Sequence, residues 1–138
     1  VEGPYGTCTT DSIGERKVLF VVGGVGVAPA RAMLETMTTA NQPIMLFRAG
    51  NPQDLIHLDE VRSLIASRGG QLRTLVGSSA TLAVKDPFSA RRLRAAVPDL
   101  HERTVIVCGP ERLVWAARSG LRAAGVPTSE IHFERPWW

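Results

Sequence analysis

Only two cysteines, Cys8 and Cys108, occur in the 138 residues, a hundred positions apart and with no Cys/His ligand spacing around either. That excludes a disulfide framework and gives no zinc motif, so a reducing, cytoplasmic setting is the expectation. Lysine is equally scarce. Lys17 and Lys85 stand alone among 16 cations, and the remainder are arginines, whose planar fork suits phosphate. The formal charge of +3 is modest, and no aromatic-and-basic surface motif accompanies it, which argues against nucleic-acid binding. Arg91, Arg92 and Arg94 read as a solvated helix face. No apolar run approaches the roughly 20 residues that cross a bilayer, and no signal peptide is present, so direct membrane contact by this chain is not expected. Internal repeats and low-complexity tracts are also missing. The chain opens on valine rather than methionine, which suggests a fragment or a processed product of something longer.

What is present is a hydrophobic content of 44%, enough at this length for one domain with a real core. Its organising stretch is residues 18–29, VLFVVGGVGVAP. Five apolar residues, mostly β-branched, suit a parallel strand covered on both faces. Gly24 and Gly26 then remove side chains where a backbone would approach a ligand, and Pro29 sits where the first turn of a helix accepts it. Amides at such a helix N-terminus favour a pyrophosphate. The spacing is G-x-G-x-x-P, which departs from the dinucleotide fingerprint at its last glycine. Close packing of two elements is the other reading of the same turn.

Along the chain, residues 1–7 are turn-rich and 11–16 form a polar link. A first strand from about Lys17 is followed by a helix over 28–39, a short strand at 44–47 and a loop at 48–52. A second helix then runs to about Ser67, where Gly69 and Gly70 stop it. A strand at 71–76, a polar loop at 77–87, a short arginine-rich helix at 89–97 and a strand at 104–108 come next. Gly109 and Pro110 open a helix over 111–124, and a strand at 131–134 leads to Pro136, Trp137 and Trp138. Strand and helix alternate with short connections, which predicts right-handed crossovers and a parallel sheet between helices.

In such sheets ligands bind beyond the carboxyl ends of the strands. The rule singles out residues 24–29, Arg48, residues 108–110 and Glu134, which should converge on one crevice. The second strand ends in Arg48 with no adjacent carboxylate. An arginine there favours a 2′-phosphate, hence NADP, while an exposed loop cation is the plainer reading. Cys108 at a helix start could be a nucleophile, but His57, His101 and His132 lie in unrelated elements and none makes a convincing base. A small residue that lets a flat ring lie close is the alternative.

Taken together, these motifs resemble the ferredoxin–NADP reductase family, in particular the nucleotide lobe of its oxygenase-reductase and ferric-reductase-like members. Residues 2–6, EGPYG, resemble the segment leaving a flavin barrel; residues 23–29, GGVGVAP, the pyrophosphate loop; residues 108–110, CGP, the nicotinamide-side turn; and Glu134 the acid near the carboxyl end. The resemblance implies an α/β fold of three layers around a five-stranded parallel sheet in the order 3-2-1-4-5. It implies residues 1–16 as a linker from an FAD-binding barrel absent from this chain, and 17–138 as the NAD(P)-binding domain. Gly24, Val25, Gly26, Val27 and Pro29 would border the pyrophosphate and Arg48 the adenosine end. Cys108, Gly109 and Pro110 would border the nicotinamide, with Cys108 and Glu134 shaping the hydride-transfer pocket. Trp138 would supply the aromatic shield found at the end of many relatives, with Pro136 interrupting before it. The implied cofactors are NADP or NAD, and FAD held mainly by the absent domain. The implied partners are that domain and an iron–sulfur or haem electron acceptor. A nucleotide-sensing module without catalysis is the first alternative. An adenosyl-methionine-dependent methyltransferase is the second, and Arg48 stands where such enzymes usually want an acid.

Overall fold

A computed structural model describes residues 13–77 and 87–134. Five strands, β1 (Val18–Gly23), β2 (Ile44–Ala49), β3 (Gln71–Val76), β4 (Thr104–Cys108) and β5 (Ile131–Glu134), form one parallel sheet in the order β3-β2-β1-β4-β5. Four α-helices connect them: α1 (Val27–Thr36), α2 (Leu58–Ser67), α3 (Ala90–Ala96) and α4 (Glu111–Ala123). Fold class and strand order are those the sequence implies.

The central strands are apolar throughout because each buries both faces. Side chains alternate across a strand. Val18, Phe20 and Val22 of β1 therefore meet Val27, Ala30 and Leu34 of α1 and Val61 and Ile65 of α2. Leu19 and Val21 point the other way, into a cluster with Leu93 of α3 and Leu113, Val114, Ala117 and Leu121 of α4. Helices on both faces of the sheet make the three layers. The edge strand β3 is only half-covered, and its sequence QLRTLV shows it.

Several boundaries differ from the sequence expectation. Arg48 lies in β2 and not in a loop, because its backbone pairs with Gly23 on one side and Leu75 on the other. Helix α1 ends at Thr36 rather than Thr39, and Thr38 caps a separate 3-10 turn at Thr39–Asn41. Ile13, in what reads as a polar link, is buried in the core on the α1–α2 side, and the Asn41 amide donates to the Gly14 and Arg16 carbonyls at 2.9 and 2.7 Å. Residues 13–16 are thereby strapped onto the α1–α2 side of the sheet.

At the amino ends of the strands sits a polar latch. Arg103 is buried, and its Nη1 donates to the carbonyls of Val18 (2.8 Å) and Gln42 (2.7 Å) while Nε donates to Asp99 Oδ1 (2.7 Å). Lys17 Nζ donates to the second oxygen of Asp99 at 3.1 Å. The Arg103 and Lys17 partners together hold the Asp99 carboxyl below its ordinary range, against a smaller opposing effect of burial.

Candidate functional site

The opposite, carboxyl ends of the strands carry the residues singled out from the sequence. Register sets them nearly in a row: Leu75, Arg48 and Gly23 are successive partners across β3, β2 and β1, and Val22, Cys108 and Glu134 across β1, β4 and β5. After Gly23 the chain makes a 3-10 turn, Gly24–Gly26, and enters α1 directly. Gly24 has φ +55°, and a Cβ built on it would meet nothing within 4 Å. The left-handed conformation costs an L-residue about 1–2 kcal/mol, so glycine is wanted here for its backbone, and the space beside it is open.

Gly26 departs from the sequence reading. Its missing side chain clears room for the protein and not for a ligand: a Cβ there would meet the carbonyl of Cys108 and come within 2.7 Å of the Gly109 amide nitrogen. The two loops that follow β1 and β4 thus lie backbone against backbone. The close-packing reading fits Gly26, while Gly24 faces open space.

A cleft of about 580 Å³ opens beside this turn, between the loops after β1, β2 and β4. Of the residues picked out in the sequence, Gly24, Val25, Arg48 and Pro110 line it. Gly26, Val27, Cys108 and Gly109 are buried, Cys108 fully, with its side chain in the core facing α1 and α2. Pro29 is half-buried in the first turn of α1. Glu134 ends β5, and Trp138, like residues 2–6, lies outside the described residues.

Arg48 is half-buried, and its Nη1 donates to two backbone carbonyls, Ala49 and Leu75 (the latter at 3.1 Å). Those bonds tie the ends of β2 and β3 and fix the guanidinium at the rim of the cleft. The lining residues missed from the sequence include Asp54, Ile56, Phe88 and Arg112. Asp54 follows β2 by five residues, and Arg112 is the second residue of α4. The strand-end rule would have found both, had it been applied to the whole connection rather than to its first residue. The cleft therefore presents two guanidinium groups and a carboxylate around an open glycine turn. Val25 and Ile56, both more than 40% exposed, add apolar surface. Such a lining suits a ligand with phosphates at its centre and flat or hydroxylated groups at its ends. Among the described residues no group of three or more His, Cys, Asp or Glu side chains is placed to hold a metal ion.

Residues 20–119 match the family described as the oxidoreductase NAD-binding domain. The chain belongs to that family. It is 33% identical to ferredoxin–NADP reductase B of Sorangium cellulosum (strain So ce56) over a 150-residue alignment, covering 96% of this chain and 59% of the relative. With the reductase component of propane 2-monooxygenase from Rhodococcus jostii (strain RHA1) it shares 31% over 145 residues, 96% of this chain and 39% of the relative. The chain thus spans well under two thirds of the length of these curated relatives. Among solved structures, the flavohem-like FAD/NAD-binding domain of nitric oxide dioxygenase from Vibrio cholerae O1 biovar El Tor superposes with a TM-score of 0.68 at 21% identity. That match covers 97% of this chain and 55% of the other, and it shows the fold. The resemblance to the ferredoxin–NADP reductase family is borne out, and the matches lend no support to a methyltransferase.

Proposed function

We propose that the oxidoreductase NAD-binding domain formed by this chain takes NAD(P)H with its pyrophosphate across the Gly23–Gly26 turn. The adenosine half lies beside Arg48 and Asp54, and the nicotinamide extends toward residues 108–110 and Glu134. The open, left-handed Gly24 at the end of the central strand supports this most directly, because backbone amides there can meet a phosphate with no side chain between. Bound there, the nicotinamide supplies a hydride from C4. The protein's part is to bind, orient and exclude water. Cys108 and Gly109, packed against Gly26, form the floor that sets how deep the ring lies, and Glu134 stands at the strand end next to them. FAD held by a neighbouring domain of the same polypeptide would accept that hydride, and an iron–sulfur or haem acceptor would take the two electrons singly. Relatives named as ferredoxin, monooxygenase and cytochrome P450 reductases support that division of labour. We place the domain in the cytoplasm or at the cytoplasmic side of a membrane; none of the helices described is long and apolar enough to cross one.

Titration of the isotopically labelled chain with NADPH and NADH, followed by backbone amide shifts, tests the reading. Shifts centred on residues 23–26, 48 and 109–112 are expected. A titration to millimolar nucleotide that leaves those amides unmoved overturns it.

A further inference from the structure

The two helical layers differ in charge. Helices α3 and α4 carry Arg91, Arg92, Arg94, Arg112, Arg118 and Arg122 against a single acid, Glu111. On the α1–α2 side, Arg31, Arg62 and Arg68 are matched by Glu35, Asp59 and Glu60 and all three are engaged, Arg31 with Glu35 at 2.6 Å, Arg62 with Asp59 at 4.0 Å and Arg68 with the Met37 and Glu35 carbonyls at 3.2 Å. None of the ion pairs among the described residues engages Arg112, Arg118 or Arg122. In the middle of this basic layer stands Trp115, 61% exposed. The other large apolar side chains exposed among the described residues, Val25 and Ile56, belong to the nucleotide cleft, so Trp115 is the one that cleft leaves unexplained. With Arg118, Ser119 and Arg122 it borders a hollow of about 200 Å³. The spacing i, i+3, i+4, i+7 places these four on one face of α4, while Leu113, Val114, Ala117 and Leu121 hold the opposite face in the core.

We infer that the outer face of α4, with Trp115 as its anchor and Arg118 and Arg122 beside it, docks the acidic surface of a partner protein. Charge complementarity commits the occupant: unpaired arginines beside an exposed tryptophan form the residue set that dominates protein–protein hot spots. A nucleic acid would need a longer basic track and a stacking platform, and this chain as a whole carries only +3. That the partner is an electron carrier rests on the reading under Proposed function; that it is acidic and meets α4 does not.

The test titrates the labelled 138-residue chain with an acidic ferredoxin as probe. Amide shifts should gather on residues 91–94 and 115–122, including the Trp115 indole, and binding should weaken several-fold between 50 and 200 mM salt. Trp115→Ala and the double variant Arg118→Glu/Arg122→Glu should each raise Kd at least tenfold. Neither touches the cleft, so nucleotide-induced shifts should be those of the parent chain, which also reports an intact fold. Three results overturn the proposal: no binding, shifts that fall on α1–α2 or the cleft, or variants within twofold of the parent. Tighter binding of a 20-base-pair duplex or of anionic vesicles through the same residues overturns it too, in favour of a different class of partner. Loss of the nucleotide shifts in the parent chain would sink the function proposed above and leave this surface standing.

Discussion

Side chains added at Gly24 and Gly26 should fail in different ways, although only Val25 separates the two glycines in the same turn. At Gly26 the added carbon meets the Cys108 carbonyl, so Gly26→Ala must push the loops after β1 and β4 apart, at about 1–3 kcal/mol for overpacking. Gly24→Ala has space and suffers only the left-handed backbone, about 1–2 kcal/mol, yet it sets a methyl group where the phosphate is proposed to approach. Urea unfolding should therefore report on the Gly26 variant at least as strongly as on the Gly24 variant. Nucleotide affinity measured per folded molecule should single out the Gly24 variant, and equal affinity losses would mean that the turn acts only as a spacer. Arg48 presents a similar division. Its Nη1 already serves two carbonyls, so Arg48→Ala removes a latch between β2 and β3 as well as a cation in the cleft. If the guanidinium meets a 2′-phosphate, the variant loses NADPH affinity by about 1.5–3 kcal/mol, tenfold or more, with NADH little changed. Equal losses for the two nucleotides would leave Arg48 as a latch alone. Asp54 lines the same cleft with opposite charge, so Asp54→Asn should shift preference toward NADPH in the same competition assay.

Among the elements, the strands were the most legible in the sequence, because burial on both faces demands an unbroken apolar run, as in 18–22, 44–47 and 104–108. Strand–helix alternation then carried the parallel sheet between helices, and the family resemblance carried its strand order. Where the reading slipped, the decisive partner was remote in sequence. Nothing local in the sequence singles out Arg103, yet it is buried because it donates to Val18 and Gln42, 85 and 61 positions away. Gly26 reads as a ligand-facing glycine because nothing nearby in sequence announces the Cys108 backbone against it. Arg48 reads as a loop residue because a charge at a strand end looks like an interruption, and only pairing with Gly23 and Leu75 keeps it in the sheet. The latch at the amino ends makes a prediction of its own. Arg103 and Lys17 lower the folded-state pKa of Asp99 below the unfolded value, so its contribution is complete above the ordinary carboxylate pKa near 3.8 and is lost as pH falls through the folded value. Asp99→Asn should cost about 2 kcal/mol at pH 7, a hydrogen bond to a charged group, and should narrow the stability difference between pH 7 and pH 3. A variant with the parent's pH dependence in urea unfolding would exclude this latch as an acid-sensitive tie.

At the scale of the molecule, stability and ligand chemistry sit at opposite ends of the sheet: the buried Arg103 latch at the amino ends of the strands, the glycine turn and cleft at the carboxyl ends. As proposed, the carboxyl end gives half of a reaction geometry. Hydride transfer needs the nicotinamide C4 in close contact with an acceptor atom, and such positioning can supply several kcal/mol of the barrier. Under the proposed function the described residues furnish the nucleotide half, and the flavin half belongs to another domain. The 138-residue chain by itself should therefore purify colourless, bind NAD(P)H weakly and show negligible reductase activity with added FAD and an artificial acceptor. Joined to a flavin barrel of a related reductase, it should gain flavin absorbance and turnover together. In that setting Cys108→Ser, read well below the unfolding temperature, should lower kcat with KM nearly unchanged, because Cys108 lies under the turn where the ring is proposed to rest rather than along the phosphates. Stoichiometric flavin copurifying with the single chain, or acceptor reduction at the rate of the joined protein, would show that the flavin site and the nucleotide site share this one domain.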